Sequence, residues 1–293
     1  PFHTLVQHHE PSRRTVPFVE VLLLGTGSAD GWPTPYCRCP SCLAARAAGD
    51  LRTPSSVLVD GRVLLDLGPE AGRQALRAGA DLADLRAVLL THAHQDHCDP
   101  SALLYRSWVT DAPLLVVGPR PAIDACAPWL DPAGTPVVLQ VVTAGDRVEL
   151  PGGYDMRVLP ADHDAFGECV LYDVTGPTGV RLLYATDTGP WPAPLPELVA
   201  GLPPYDLVLL EETFGERARE PGHHDLASFA AALADLRAWG LLSAATRVLA
   251  IHLSHHNPPA AQLRRSLAAL GADVGTDLAR YVLGCAASDP APT

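Results

Sequence analysis

The chain has 293 residues, enough to bury a sizeable core, and its 47% hydrophobic and 18% charged residues are typical of a folded globular protein. The formal charge at pH 7 is −12, so the average surface repels polyanions, which argues against a nucleic-acid partner. Bound cations dominate the field near them, so this charge does not exclude a small anionic substrate at a metal site. We expect an enzyme or binding protein that takes a small molecule.

Short apolar runs bounded by Gly, Pro or Asp predict strands along the whole chain. In chain order they are residues 19–24, 56–59, 62–67, 87–90, 113–117, 136–142, 155–159, 169–174, 180–185, 206–210 and 247–251. Segments with helical spacing lie between them, at residues 69–79, 100–108, 121–130, 226–239 and 258–270. Many strands with interspersed helices predict a layered α/β architecture in which helices cover sheets.

The chain is expected to form one main domain. We predict a flexible N-terminal segment over residues 1–16, a single domain over residues 17–286 and a tail over residues 287–293. The first 15 residues are polar and His-rich, unlike a signal peptide, and no stretch approaches the roughly 20 apolar residues of a membrane helix. We therefore expect a cytoplasmic protein without a membrane partner. The sequence leaves its oligomeric state open, and a homodimer is one alternative.

Metal-binding side chains are concentrated in the sequence Thr-His-Ala-His-Gln-Asp-His, which follows the predicted strand 87–90. In extended or helical geometry they cannot all face one way, so the segment requires a tight loop. Such a loop can direct two imidazoles to one metal and a carboxylate with an imidazole to a second. The alternative is a polar loop whose histidines only form hydrogen bonds or face solvent, which the density of these residues disfavours. The candidate ligands are His92, His94, Asp96 and His97.

Further candidates stand where other predicted strands end. They are Asp66, His163, Asp187 and His252. Singly, each could be a capping aspartate or a hydrogen-bonded core histidine. Together they predict a ring of ligands at one edge of the sheets.

This order of residues resembles the metallo-β-lactamase superfamily. The pattern of that family is a strand ending in Asp, then His-x-His-x-Asp-His, a lone His, a lone Asp and a final His. The match runs from Asp66 to His252, most of the chain. The resemblance implies a four-layer αβ/βα sandwich, the metallo-β-lactamase fold, with a dinuclear metal site in the cleft between the sheets. It also implies a role for Asp66 in orienting the motif loop by hydrogen bonds.

The resemblance further implies how the ligands divide between two divalent ions. His92, His94 and His163 would hold one ion, Asp96, His97 and His252 the other, and Asp187 both. A water activated by the ions would act as the nucleophile, so that the reaction is hydrolysis of an ester or a phosphodiester. The donor set suits Mn or Zn, and the sequence does not choose between them.

The seven cysteines are odd in number, and their clustering suits a metal site better than a disulfide framework. Cys37, Cys39 and Cys42 stand in a Gly/Pro-rich segment that we expect to be a loop. Three thiolates in a turn can occupy three corners of a tetrahedron, and a fourth ligand closes a structural zinc site. His255, three residues after His252, is the candidate fourth ligand. The alternative is three reduced, unliganded thiols.

The combination of Gly-Thr-Gly-Ser at residues 25–28, the cysteine segment, the histidine motif and His-Leu-Ser-His at residues 252–255 looks like one subgroup. That subgroup is the phosphoribosyl 1,2-cyclic phosphate phosphodiesterases of the carbon–phosphorus lyase pathway. The resemblance implies hydrolysis of a small cyclic phosphate, and it points to His223 as the general acid. His223 and His224 could instead be helix-cap or surface residues.

Other functions stay open. A related cysteine segment occurs in pyrroloquinoline quinone biosynthesis proteins, usually with a degenerate histidine motif, whereas the motif here is intact. A biosynthetic hydrolase of a lactone or ester, and a metal-bound carrier without catalysis, are the further alternatives. The acidic charge and the lack of an evident basic arm disfavour a tRNA-processing nuclease. We expect substrate choice to depend on residues 32–36, 106–108 and 164–167.

Overall fold

The structure is a computed structural model that describes residues 18–130, 136–163, 166–218 and 220–284. The predicted N-terminal segment and tail lie outside these residues, so the domain bounds stay predictions. No helix within the described ranges is long and apolar enough to cross a membrane.

Over residues 18–130 and 136–142 the structure has six strands and four helices. They are β1 (Val19–Gly25), α1 (Pro40–Ala48), β2 (Ser56–Val59), β3 (Val63–Leu65), α2 (Ala71–Arg77), β4 (Ala87–Leu89), α3 (Ser101–Ser107), β5 (Leu114–Gly118), α4 (Arg120–Cys126) and β6 (Val137–Val141). A short 3-10 turn, Ala127–Trp129, follows α4.

The second half adds the other strands and helices of the described chain. They are β7 (Arg147–Leu150), β8 (Tyr154–Pro160), β9 (Val170–Thr175), β10 (Arg181–Ala185), α5 (Leu195–Val199), β11 (Leu207–Glu211), α6 (Leu226–Ala238), β12 (Arg247–Ile251), α7 (Ala260–Ala269), β13 (Asp273–Val274) and β14 (Arg280–Leu283).

The strands form two seven-stranded sheets, in the orders β14-β1-β2-β3-β4-β5-β6 and β13-β12-β11-β10-β9-β8-β7. Successive side chains of a strand point to opposite faces, so each sheet has an inner and an outer apolar face. Val21 and Leu23 of β1 pack into a buried cluster shared by both sheets, whereas Leu22 and Leu24 pack with the helices outside. A third cluster joins α6 and α7 to the outer face of the second sheet. The predicted four-layer αβ/βα sandwich is therefore confirmed.

Helix α1 corrects the prediction that the cysteine segment is a loop. Cys39 caps the N-terminus of α1, its thiol accepting a hydrogen bond from the Cys42 backbone N–H, and Pro40 takes the first helical position, where no N–H is needed. The helix ends at Gly49, whose φ of 65° lies in the left-handed region that favours glycine. Cys37 and the capping Cys39 precede the helix, and Cys42 lies in its first turn.

Candidate metal centre

The candidate ligands lie at one edge of each sheet because the strands that precede them run parallel. Strands β3 and β4 are parallel neighbours, as are β10, β11 and β12. The carboxyl ends of parallel strands meet at the same edge, where binding sites of α/β sheets form. Asp66 follows β3, the histidine motif follows β4, Asp187 follows β10 by two residues, and His252 follows β12.

Three of the candidates have an unusual backbone conformation. Asp66, Asp187 and His252 have φ values of 59°, 50° and 54°, in the left-handed region that side chains with a Cβ rarely adopt. Each such residue costs on the order of 1–3 kcal/mol, and the conformation persists only where the surrounding structure enforces it. Strain of this kind concentrates at functional sites. At each of these three positions the left-handed conformation changes the direction of the chain after its strand.

The donor atoms form two groups that share one carboxylate. Within each group all donor atoms lie within 4.8 Å of one another. One group is His92, His94, His163 and Asp187, and the other is Asp96, His97, Asp187 and His252.

The two carboxylate oxygens of Asp187 face different groups. Oδ2 lies 3.5 Å from His92 Nε2 and 3.6 Å from His163 Nε2. Oδ1 lies 3.4 Å from His97 Nε2 and 3.0 Å from His252 Nε2. One side chain is therefore placed to contribute an oxygen to each of two neighbouring ions.

Two ring nitrogens of the second group are buried without a hydrogen bond. His97 Nε2 and His252 Nε2 have no hydrogen-bond partner, although Asp96 Oδ2 and Asp187 Oδ1 lie 2.9 Å and 3.0 Å away. A buried polar atom without a partner is unfavourable unless something else, such as an ion, satisfies it. Imidazole and carboxylate donors suit Zn and Mn alike. The residues present thus fit a pair of divalent ions.

Asp66 belongs to neither donor group and instead orients the second one. Its carboxylate is fully buried and accepts hydrogen bonds from the Thr91 backbone N–H at 2.8 Å, the Thr91 hydroxyl at 3.0 Å, the Tyr184 hydroxyl at 3.0 Å and His97 Nδ1 at 2.6 Å. Because His97 donates through Nδ1, its Nε2 is the nitrogen left to bind an ion. The structure therefore supports the orienting role expected for Asp66.

The carboxylates create a site that favours positive charge. Burial alone would raise the pKa of Asp187, yet His252 and His97 hold the pKa of this carboxyl well below its usual range. Burial alone would lower the pKa of His252, but Asp187 raises the pKa of this imidazole to about 10. Burial and the neighbouring His97 lower the pKa of His92 well below its usual value, so His92 keeps the neutral form that binds metals.

His223 lies beside the two groups and is held by an acidic residue that the sequence did not single out. Its Nδ1 is 3.0 Å from Oε1 of Glu211, a fully buried residue at the end of β11, and its ring stacks on His252 with a centroid distance of 5.5 Å. Burial alone would lower the pKa of His223, but the Glu211 carboxylate raises it. The adjacent His224 is buried and contacts Trp191. Of the two histidines, only His223 is placed at the centre.

Two cavities open beside the donor groups. The smaller, of about 240 Å³, is lined by Asp187, His223 and His252, and the larger, of about 690 Å³, by residues that include Phe166. Ala29, His94 and Asp96 line both cavities. Within the segment 32–36, which was expected to affect substrate choice, the side chain of Trp32 is only 1% exposed and packs with Cys42 beneath the helices, so Trp32 itself is not placed to contact a substrate.

The cysteines and His255 form a separate cluster. The donor atoms of Cys37, Cys39, Cys42 and His255 all lie within 4.8 Å of one another. Burial alone would raise the pKa of Cys39, but the Cys42 backbone N–H and His255 lower it to about 6. A stabilised thiolate with two further thiols and an imidazole is the donor set that binds structural zinc. The cluster joins the N-terminus of α1 to the loop after β12.

Comparison with known proteins places the chain in a family. The family model for the beta-lactamase superfamily domain matches residues 61–253. The chain is 31% identical over 204 residues to a ribonuclease Z of Mycobacterium marinum, a match that covers 62% of this chain and 67% of that protein.

Solved structures share the fold. A diphosphatase of the PhnP family superposes with a TM-score of 0.71 at 23% identity, over 91% of this chain and 97% of the other. The Zn²⁺-bound PqqB of Methylobacterium extorquens also gives a TM-score of 0.71, at 21% identity, over 89% of this chain and 99% of the other. The matched residues 61–253 include Asp66, the histidine motif and His252, and the chain belongs to the metallo-β-lactamase superfamily as a hydrolase of that fold.

Proposed function

We propose that the protein is a metal-dependent phosphodiesterase that hydrolyses a small cyclic phosphate of the phosphoribosyl cyclic phosphate kind. The observation that carries the proposal is the placement of Asp187 between two sets of ligands, with the His223–Glu211 pair beside them. The proposed ligands are His92, His94 and His163 for one ion and Asp96, His97 and His252 for the other. Cys37, Cys39, Cys42 and His255 are the proposed ligands of a structural zinc.

The similarity of this chain to known proteins favours a reaction that breaks a P–O bond. A ribonuclease and a diphosphatase both break P–O bonds, and this chain is similar to one of each. A phosphate ester needs cations near the phosphoryl oxygens, and Asp187, with one carboxylate oxygen facing each group of ligands, would help to hold two of them. When bound, two divalent ions would activate a water and neutralise the charge that develops on the phosphoryl group.

The residues of the chain supply orientation and a proton. Asp66 fixes the ring of His97, and the Glu211 carboxylate fixes the ring of His223 and raises its pKa. The raised pKa favours the protonated form of His223, which can donate its proton to the oxygen that leaves phosphorus. An alkoxide leaving group, as released when a cyclic ribose phosphate opens, requires such a donor.

The size and charge of the site favour a small substrate over RNA. Of the described residues that line the two cavities, none is lysine or arginine. A protein that holds an RNA backbone ordinarily presents basic residues along it, and the chain as a whole has a formal charge of −12.

The first experiment combines metal analysis with four substrates. We would assay the protein as purified on methyl β-ribofuranoside 2,3-cyclic phosphate, bis(p-nitrophenyl) phosphate, a simple lactone and a precursor tRNA. About three metals per chain with turnover of the cyclic phosphate is the expected result. Turnover of the lactone alone would indicate a biosynthetic hydrolase. Cleavage of the tRNA alone would indicate a nuclease. Metal without any turnover would favour a carrier.

Replacing His223 by alanine should affect substrates according to their leaving group. We expect kcat for the cyclic phosphate to fall about 10²-fold, because the departing alkoxide then lacks a proton donor. Bis(p-nitrophenyl) phosphate releases a stable phenolate and is the internal control, with a change below about 3-fold expected. Steady-state kinetics on both substrates measure the difference. An equal loss on both would show that His223 does not act as the acid.

Replacing Asp66 by asparagine should weaken metal binding. We expect the affinity for the active-site ions to fall by about 10- to 100-fold, because His97 loses the carboxylate that fixes its orientation and increases its basicity. Titration of the metal-free protein with Zn²⁺ would measure the change. Tyr184→Phe is the matched control, since it removes one of several donors to Asp66 and leaves the carboxylate in place. Equal affinities for Asp66→Asn and wild type would contradict the orienting role.

A further inference from the structure

Phe166 is an exposed aromatic residue at the mouth of the metal centre. Its side chain is 75% exposed, and its ring packs edge-on against His94 with a centroid distance of 5.2 Å. Its backbone has a φ of 61°, a conformation that a bulky side chain rarely adopts and that is found where a local structure serves a function. An exposed phenylalanine in this conformation contributes little to the core, so its position calls for another explanation.

The cavity beside Phe166 adjoins the candidate metal centre. The two cavities share Ala29, His94 and Asp96, two of which are proposed metal ligands. The larger cavity, of about 690 Å³, lies within the range of about 300–1,000 Å³ that is usual for small-molecule sites, whereas the smaller, of about 240 Å³, suits a phosphoryl group and its ring. A substrate held at the metals can therefore extend along His94 to reach Phe166.

The lining of the larger cavity indicates the chemistry of the group that would enter it. Its walls include Pro69, Ala93 and Phe166, one amide, Gln95, and one carboxylate, Asp96. The described lining residues offer no lysine or arginine that could hold a second phosphate, and the carboxylate would repel one. An uncharged flat ring can instead stack on the exposed Phe166 side chain.

We propose that Phe166 determines specificity by stacking on an uncharged aromatic ring of the substrate, one sugar away from the phosphate that is hydrolysed. This inference rests on the proposed hydrolysis of a cyclic ribose phosphate, and it replaces the second phosphate of a phosphoribosyl substrate by an uncharged ring on the sugar. The ring is either a nucleobase or the aryl group of an aryl glycoside, which share this chemistry.

The test compares substrates that differ only in the group on the sugar. Methyl, cyclohexyl and phenyl β-ribofuranoside 2,3-cyclic phosphates carry the same reacting phosphate. We expect the metal-loaded protein to have a lower KM for the phenyl compound than for the other two, with similar kcat. In Phe166→Ala the preference for phenyl over methyl, as a ratio of kcat/KM, should fall about 5- to 10-fold, and Phe166→Tyr should restore it. Trp129→Ala, at an exposed aromatic residue outside both cavities, is the matched control.

The outcomes separate this inference from the function on which it rests. Turnover of all compounds with no preference for phenyl, or with a preference that Phe166→Ala retains, would overturn the role of Phe166 and leave the phosphodiesterase intact. Equal preference for cyclohexyl and phenyl would overturn the aromatic class. No turnover of any compound would overturn both proposals. Uridine 2′,3′-cyclic phosphate identifies the kind of ring. A higher kcat/KM for it than for the phenyl compound would support a nucleobase as the stacking ring. A higher kcat/KM for the phenyl compound would support the aryl group of an aryl glycoside.

Discussion

Asp187→Ala is expected to lower kcat for the cyclic phosphate by about 10³-fold or more, equivalent to ~4 kcal/mol of transition-state stabilisation. Each carboxylate oxygen of Asp187 faces a different group of ligands, so the substitution removes a donor from both groups at once. The imidazoles that remain have no carboxylate between them to offset the repulsion of two neighbouring cations. Kinetics and metal analysis of the purified variant measure the two effects together.

Metal analysis should show the loss of one or both active-site ions from Asp187→Ala, with the zinc at the cysteine cluster retained. Asp187→Asn tests the effect of the charge apart from that of the backbone conformation. Asparagine accepts the left-handed conformation of this position but lacks the negative charge. It should lose nearly as much activity as the alanine variant. Asp124→Ala, at an exposed aspartate of α4, is the matched control and should behave as wild type. An Asp187→Ala protein with more than about a tenth of the wild-type kcat would contradict the bridging role.

The largest effect on stability is expected from Cys42→Ala. The cysteine cluster joins α1 to the loop after β12, and structural zinc contributes directly to the free energy of folding. We expect one zinc fewer per chain and a free energy of unfolding lower by about 3 kcal/mol, which at ~2–4 °C per kcal/mol lowers Tm by roughly 10 °C. Thermal unfolding followed by circular dichroism, with elemental analysis of the same sample, measures both.

Two controls show whether this loss comes from zinc. Ser41→Ala changes the neighbouring buried residue, whose hydroxyl has no hydrogen-bond partner, and should leave both zinc content and Tm unchanged. A chelator that removes zinc should lower the Tm of the wild type. The same chelator should change the Tm of Cys42→Ala much less. Wild-type zinc content in Cys42→Ala, with an unaltered Tm, would show that the thiols are unliganded.

The strands and the candidate ligands could be predicted because their signals are local. A short apolar run bounded by Gly or Pro indicates a strand, and a polar residue directly after it lies at the sheet edge, as Asp66 and His252 do. The motif that ends at His97 is dense enough to indicate a metal loop by itself. Helix α1 was missed because its first residues, Pro40 and Ser41, are typical of a turn and its N-terminus depends on the thiol of a cysteine.

Features that depend on distant parts of the chain could not be predicted in the same way. Glu211 follows an apolar run as Asp66 does, and this signal could have identified it, but its pairing with His223 requires the fold to bring the two segments together. Strand β14 has only four residues, none of them fully buried, and it pairs with β1, at the opposite end of the described chain. The burial of Trp32, within the segment 32–36, could not be predicted because a tryptophan in a Gly/Pro-rich segment is not distinguishable from a binding residue until its packing is known.

The metal centre is divided between the two halves of the chain. Asp66 and the histidine motif come from the first sheet, and His163, Asp187 and His252 come from the second, with the Tyr184 hydroxyl linking the halves through Asp66. Domains begin to fold from the N-terminus while the chain is synthesised at about 5–20 residues per second. The nascent chain therefore holds its histidine motif long before it holds the last ligand. If the proposed ions bind here, the complete set of ligands would be available to them only late in synthesis, after the second sheet has closed on the first.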